Sequence, residues 1–333
     1  PIVALTFTCV MFTVVAAVAM LAAGIFIGTL GLSFSITATA LVMALLSTVS
    51  SLYFSFNKFQ ESMKIIFLLL VVLSVVSLAI AIPSASANTF SFAFDFASLT
   101  KEDIFFIAAL IGWMPAGLDL PMMHSQWLLA RGDKLRVDEN AVEDFNFGYL
   151  STSVLALLFV IIGAVFFFGA GVSMAPTAGG FSKQLLDAYT NSLGQTSGFI
   201  IGGTLFLAIF STLIVVIDGF PRVLSEVISL MVAKQGNTVT GDTIRYRQVS
   251  SWLQFGGAAL ILTAFTGSLT GLVDFATITS FLLCPVFAIL NHRIVGLPNF
   301  TNIGSTPQFY KVWSFIGIVF FIMFTIYYFY LNF

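Results

Sequence analysis

The sequence predicts an all-α integral membrane protein. Hydrophobic residues make up 59% of the 333 residues and charged residues only 8%, whereas soluble domains carry about 25% charged residues. The mean hydropathy is +1.04. Long, nearly uncharged runs recur along the whole chain, and each can cross a hydrocarbon core of about 30 Å as a helix. Because these runs are apolar on every face, they indicate helices rather than the alternating strands of a β-barrel.

Hydropathy and helix-breaking residues together predict nine spans in a single transmembrane domain that covers residues 1–333. The predicted spans are 3–31, 35–56, 63–82, 103–131, 147–170, 198–233, 249–267, 272–291 and 310–332. The sixth span is longer than a bilayer requires, so its second half is expected to project into water. Residues 131–147 carry charges of both signs and could fold as a short surface helix that joins the fourth and fifth spans. A solvated connector is their expected role.

The distribution of basic residues predicts the orientation. Ten Lys and Arg residues, Arg245 and Arg247 among them, fall in one set of alternating connections and only two in the other. The positive-inside rule therefore places Pro1 in the cytoplasm and Phe333 outside, across a cytoplasmic-type membrane. The lipid bilayer is thus a predicted partner. No basic patch suggests binding to nucleic acid.

The fourth predicted span carries four helix breakers within ten residues. Pro115 removes a backbone donor, and Gly112, Gly117 and Pro121 weaken the same stretch from both sides. The helix is therefore expected to open near 111–118. Backbone groups without partners cost several kcal/mol each in lipid, so an opened helix implies a cavity where protein, water or solute satisfies them. A proline kink without any site is the structural alternative.

Two ionisable residues lie on the same segment. Asp119 and His124 are functional candidates because ionisable groups inside a span are costly. His124 could relay a proton or hydrogen-bond to another helix, and the sequence does not separate these roles. Met114 precedes the central proline, and its thioether favours transition metals over Ca²⁺ or Mg²⁺. Most buried methionines simply pack, which is the alternative.

Asp218 and Arg222 lie four residues apart in the sixth predicted span. This spacing puts both side chains on one helical face, where they can form an ion pair. A structural pair near the cytoplasmic mouth is one interpretation. The other is a gate or a proton relay that forms and breaks as the site changes its access.

The segment "GWMPAGLDLPMMHSQWLLA" (112–130) resembles the sixth helix of the Nramp family of divalent-metal transporters. The Met-Pro pair at 114–115 and the His-Ser pair at 124–125 match that family's pattern. Three further stretches look like its fifth, eighth and tenth helices, at 58–83, 217–224 and 275–291.

The resemblance implies a LeuT-type fold of two inverted five-helix repeats, with a first helix broken at Asp-Pro-Gly-Asn opposite the broken sixth. The nine spans then correspond to helices three to eleven, and no Asp-Pro-Gly-Asn occurs in this sequence. The chain is therefore expected to lack the first two helices of the family.

The resemblance also implies a partial metal site. Met114 takes the place of the family's metal-binding methionine, and the carbonyl of Ile111 that of its backbone ligand. Thr277 could offer a weak hydroxyl ligand from the facing repeat. Ala116 stands where the family has a histidine, which puts proton coupling in doubt, and Asp119 is an extra acid that could compensate.

The predicted function is secondary transport of divalent transition-metal cations such as Mn²⁺ or Fe²⁺ by alternating access. The metal is cargo, no cofactor is expected, and coupling to protons stays open. A carrier of an organic solute such as an amino acid is the alternative, and a Mg²⁺ transporter is a further one. An enzyme is disfavoured, because the spans offer few convergent acid, base or metal-ligand groups. Nothing suggests the symmetric ring of a channel.

Overall fold

A computed structural model describes residues 2–81, 100–113, 117–131, 139–164, 195–232, 240–264, 268–295 and 308–332, with isolated positions at 180, 183, 184 and 187. These residues form helices and no strands. The ten helices are α1 (Ile2–Leu30), α2 (Ile36–Tyr53), α3 (Phe56–Ala81), α4 (Lys101–Trp113), α5 (Leu120–Ala130), α6 (Glu139–Gly163), α7 (Gln195–Val232), α8 (Thr240–Ala264), α9 (Leu269–Val295) and α10 (Gln308–Asn332).

Seven helices in the described part of the chain are long and apolar enough to cross a membrane, namely α1, α2, α3, α6, α7, α9 and α10. The chain is thus an all-α protein of multi-pass membrane type. Helices α4 and α5 have 13 and 11 residues, and each is shorter than the roughly 20 residues that a span needs. Together they cover the fourth predicted span. Helix α8 covers the seventh, but its first turns are polar.

Two helices begin well before the predicted spans. Helix α3 starts at Phe56 rather than 63, and α6 starts at Glu139 rather than 147. Residues 139–147 of the predicted connector, for which a short surface helix is one interpretation, form the first turns of α6. Hydropathy marks only the apolar part of a helix, whereas its backbone hydrogen bonds continue into the polar stretch beside the membrane.

Local sequence accounts for the turn between α1 and α2. Gly31 adopts a φ of 64°, a left-handed conformation that glycine tolerates and that ends many helices. The backbone N–H of Leu32 then donates to the carbonyl of Ile27 at 3.0 Å. Ser35 caps α2, because its side chain accepts a hydrogen bond from the N–H of Ala38 at 3.4 Å.

By its internal contacts the chain divides into two compact units. The first unit comprises Pro1–Ala93 and Met122–Ala276, and the second comprises Phe94–Pro121 and Thr277–Phe333.

Helix α1 forms the centre of the first unit. It packs most extensively on α7 and α8. Most of its side chains are buried, and none is charged. Phe7 meets Phe220 of α7 edge to face with ring centroids 5.6 Å apart. At Gly257 of α8 an added Cβ would lie 2.5 Å from the ring of Phe12. Small residues thus let the helices approach closely, as is usual in membranes.

The second unit has an aromatic core between α4, α9 and α10. Ala108, Phe281 and Tyr328 are its buried members, one from each helix. Phe281 contacts the ring of Phe324 edge to face at 5.5 Å. Ile111, the residue predicted to offer its carbonyl to a metal, packs against this core. The core therefore sets the position of the C-terminal end of α4.

Candidate functional site

The predicted broken span is two helices. Helix α4 ends at Trp113 and α5 begins at Leu120. Residues 118 and 119 form a turn in which the N–H of Leu120 donates to the carbonyl of Gly117 at 3.1 Å. The interruption falls where the sequence predicts an opening. Met114 and Pro115, with Ala116, lie outside the described residues.

The other two breakers have distinct local settings. Pro121 is the second residue of α5, a place in the first turn where its missing N–H removes no helical hydrogen bond. Gly112 lies in the last turn of α4, against α9. A Cβ there would collide with the carbonyl oxygen of Thr277 and would lie 3.0 Å from the backbone nitrogen of Phe281. Gly112 therefore allows direct contact between two helix backbones.

This contact brings two of the predicted metal-site residues into one neighbourhood. Ile111 precedes Gly112, and Thr277 lies where α9 meets that glycine, with only 6% of its surface exposed. The indole of Trp113 donates to the hydroxyl of Ser280 at 3.0 Å, one turn farther along α9. The end of α4 is thus held against α9 by close packing and by a hydrogen bond.

Asp119 is half-buried in the turn before α5. Its carboxylate accepts a hydrogen bond from the N–H of Leu120 and lies against Gly117, where a Cβ would meet an Oδ1 atom. Aspartate at this place stabilises the start of a helix. The carboxylate therefore has a structural task besides the predicted one in proton coupling.

The most extensive polar arrangement of the described residues surrounds Asp218 on α7, which is 1% exposed. Oδ2 accepts from Arg222 Nε at 2.6 Å and from the Trp127 indole of α5 at 2.9 Å. Oδ1 accepts from the Ser51 hydroxyl of α2 at 2.8 Å and from Arg247 Nη2 of α8 at 2.9 Å. One carboxylate therefore connects four helices.

The ion pair between Asp218 and Arg222 is present, as their spacing predicts. Sequence reasoning missed the other partners. Arg247 in particular is not a free loop cation, as the orientation count assumes, because it lies in α8 and pairs with Asp218. Only the tertiary structure brings α2, α5 and α8 to this carboxylate. The one signal in the sequence was a deep aspartate, since such a charge needs partners.

The Asp218 cluster, defined as Ser51, Trp127, Asp218, Arg222 and Arg247, contains one negative and two positive side chains. Arg222 is also 5.1 Å from the centre of the Phe56 ring, a distance at which a guanidinium is attracted to an aromatic face. Arg247 Nη2 donates to the Ser51 carbonyl at 2.7 Å as well. The Asp218 carboxylate is therefore the group of the cluster that compensates the positive charges of Arg222 and Arg247.

Helix α7 contains Pro221 next to the cluster. Proline has no N–H and crowds the preceding turn, so it weakens the helix locally. Gln254 of α8, 1% exposed, donates its side-chain Nε2 to the carbonyl of Val216 at 3.2 Å. The amide thus ties α8 to α7 one residue before Ile217, whose carbonyl loses its helical donor because of Pro221.

A cavity of about 230 Å³ lies beside α5 in the first unit. Phe56, Phe59 and Met63 of α3 form one wall, and His124 and Trp127 of α5 form another. The Nε2 atom of His124 is buried and has no hydrogen-bond partner among the described residues. Its ring contacts Phe145 edge to face at 5.3 Å. Neither predicted role of His124, proton relay or interhelical hydrogen bond, is tested by this packing.

Within the described ranges, no group of three or more His, Cys, Asp or Glu side chains could hold a metal ion. Cys284 is buried, and its thiol donates to the Ser280 carbonyl at 3.4 Å.

No protein-family model matches the chain. An uncharacterized protein of Pasteurella multocida (strain Pm70) is 32% identical over 192 residues. The match covers 57% of this chain and 43% of the relative, so the chain spans less than half the length of the protein it matches. The similarity indicates shared ancestry over that stretch.

Proposed function

We propose that the protein is a secondary transporter of divalent transition-metal cations such as Mn²⁺ or Fe²⁺. The observation that carries the proposal is the interruption between Trp113 and Leu120 in a chain with seven candidate membrane spans. Discontinuous helices supply freed carbonyls and helix ends that bind ions in secondary transporters. In the sequence, Met114 directly follows Trp113, the last residue of α4.

The donor types near the interruption support a transition metal. The thioether of Met114 is a soft ligand, which favours Mn²⁺, Fe²⁺ or Cd²⁺ over Mg²⁺ or Ca²⁺. Gly112 brings the end of α4 against the backbone carbonyl of Thr277, the residue whose hydroxyl is the proposed weak ligand. Transport would proceed by alternating access in a LeuT-type arrangement of inverted repeats, as the Nramp resemblance implies. The membrane would be the bacterial inner membrane.

Substitution of Met114 tests the cargo. Met114→Ala should reduce uptake of Cd²⁺ and Mn²⁺ into proteoliposomes at least tenfold, because a soft ligand is lost. Ca²⁺ binding, measured by isothermal titration, should change little. Met323→Ala is the matched control, since Met323 lies on α10 and is 65% exposed. Equal loss for soft and hard ions, or equal loss in the control, would reject Met114 as a selective ligand.

Substitution of Asp119 tests coupling to protons. Asp119→Asn keeps an oxygen that can accept from Leu120 but removes the titrating group, so the start of α5 should persist. If Asp119 carries the coupled proton, the dependence of Mn²⁺ uptake on external pH should flatten in the variant. The measurement is uptake at several pH values with and without a proton gradient. A profile identical to that of the wild type would exclude Asp119 from coupling.

A carrier of an organic solute is the second candidate. Two observations favour it: the described residues contain no cluster of strong metal ligands, and an aromatic cavity with an unpartnered His124 nitrogen lies beside α5. The cavity is also lined by Gln60, Arg131 and Asp144, and aromatic walls with a few polar groups suit a small organic molecule. This function predicts uptake that is independent of metal and insensitive to Met114→Ala.

A further inference from the structure

The structure fastens the short helix α5 to α7 at two adjacent positions. Trp127 of α5 donates its indole N–H to Asp218 at 2.9 Å. At the next residue of α7, Gly219, a Cβ would lie 2.7 Å from the sulfur of Met123 and 3.1 Å from the ring of Trp127. Glycine therefore lets α5 approach α7 closely enough for the indole to reach the carboxylate.

Helix α5 depends on such contacts. Eleven residues are too few for a stable helix on its own. At its C-terminal end the Arg131 pair with Asp144 is about half exposed, and pairs of this kind contribute little. The contacts with Asp218 and Gly219 are more buried, so they carry more of the attachment.

The Trp127 bond can break without leaving a charge of the Asp218 cluster unpaired. Without the indole, Asp218 still accepts from Ser51, Arg222 and Arg247, and no charge loses its partner. The remaining members join α2, α7 and α8, whereas Trp127 alone joins α5. Separation of α5 from the Asp218 cluster thus breaks one hydrogen bond from a neutral donor, the Trp127 indole. The ion pairs of Asp218 with Arg222 and Arg247 stay intact.

We infer that Trp127 is a positioning residue that latches the half-helix α5 to the Asp218 cluster and releases it when α5 moves. The inference rests on the proposed function in one respect, since transport is what would require α5 to move. It assigns a conformational role to a tryptophan next to the ion pair, and it makes α5 the mobile partner of a fixed cluster.

The test measures hydrogen–deuterium exchange of α5 in the intact protein reconstituted in lipid nanodiscs. Trp127→Phe removes the N–H donor and keeps an aromatic ring. Exchange of the α5 amides should rise about tenfold, the effect of losing a hydrogen bond to a charged group. Exchange in α8 should stay unchanged. Trp252→Phe is the matched control, because Trp252 lies on α8 and is 45% exposed.

A second variant protects the test against simple misfolding. Gly219→Ala keeps the Trp127 side chain but adds a methyl group against Met123 and the ring of Trp127. It should loosen the contact of α5 with α7 and raise α5 exchange, by less than Trp127→Phe because the Met123 side chain can shift. Ultraviolet resonance Raman spectra should lose one hydrogen-bonded indole N–H in Trp127→Phe, because Trp113 keeps its bond to Ser280, and the Trp127 bond should be weakened in Gly219→Ala. Unchanged α5 exchange in Trp127→Phe, or a uniform rise along the whole chain, would overturn the latch.

The outcome separates the latch from the proposed function. The exchange response needs no transport, so its presence in a protein without Mn²⁺ uptake would support the latch and reject the transport proposal. Mn²⁺ uptake by a protein whose α5 exchange ignores Trp127→Phe would reject the latch and leave the transport proposal standing.

Discussion

Asp218→Asn is expected to destabilise the protein by about 3–5 kcal/mol, the cost of leaving buried charge without its partner. The aspartate is 1% exposed, and it is the acid that Arg222 and Arg247 share. Asparagine has nearly the same shape, so packing is kept and only the charge is lost. The measurement is the free energy of unfolding, or the melting temperature of the detergent-solubilised protein.

Asp144→Asn is the matched control for this experiment. It breaks the ion pair between Asp144 and Arg131, in which the Arg131 side chain is 42% exposed and the Asp144 side chain 52% exposed. The loss should lower the free energy of unfolding by less than about 1 kcal/mol. A second substitution, Arg247→Gln in the Asp218→Asn background, removes one uncompensated charge and should recover part of the lost stability. If Asp218→Asn melts like the control, the cluster does not hold the four helices together.

Gly112→Ala is expected to push α4 away from α9 and, under the proposed transport function, to abolish Mn²⁺ uptake. The added methyl group would collide with the backbone at Thr277 and crowd that at Phe281. Helix backbone cannot turn aside as a flexible side chain can, so overpacking should cost about 1–3 kcal/mol. This exceeds the gain of up to about 1 kcal/mol that alanine brings to a helix.

Gly148→Ala and Gly256→Ala are the controls for Gly112→Ala. Both positions lie within helices, and a Cβ there would meet nothing within 4 Å. Only the higher helix propensity of alanine then affects stability, so both variants should melt at the wild-type temperature or above it. The melting temperature should therefore fall in Gly112→Ala and stay level or rise in the two controls. A Gly112→Ala protein that is as stable as these controls would contradict the contact between α4 and α9.

The local pattern of the sequence accounts for most of the helices. Long apolar runs predict α1, α2, α7, α9 and α10 to within a few residues, because burial in lipid requires most of their side chains to be apolar. The breakers around Pro115 predict the interruption between Trp113 and Leu120. Hydropathy failed at the polar starts of α3 and α6, because a helix continues beyond the membrane without any apolar signal.

The sequence also predicts one contact of the site, the pair of Asp218 with Arg222. That contact spans one turn of a helix, so spacing is enough. The remaining partners lie 29, 91 and 167 residues from Asp218 along the chain. No local pattern encodes such distances, which explains why Arg247 could be taken for a loop cation.

What the sequence determined by itself is therefore whatever depends on one segment at a time: the solvent in which each helix lies, the places where a helix must end, and the pairing of side chains one turn apart. The tertiary structure decided which segments share a buried charge and where two backbones touch. The physical reason is that desolvation acts on each residue separately, whereas hydrogen bonds and close packing need two surfaces that only the folded chain brings together.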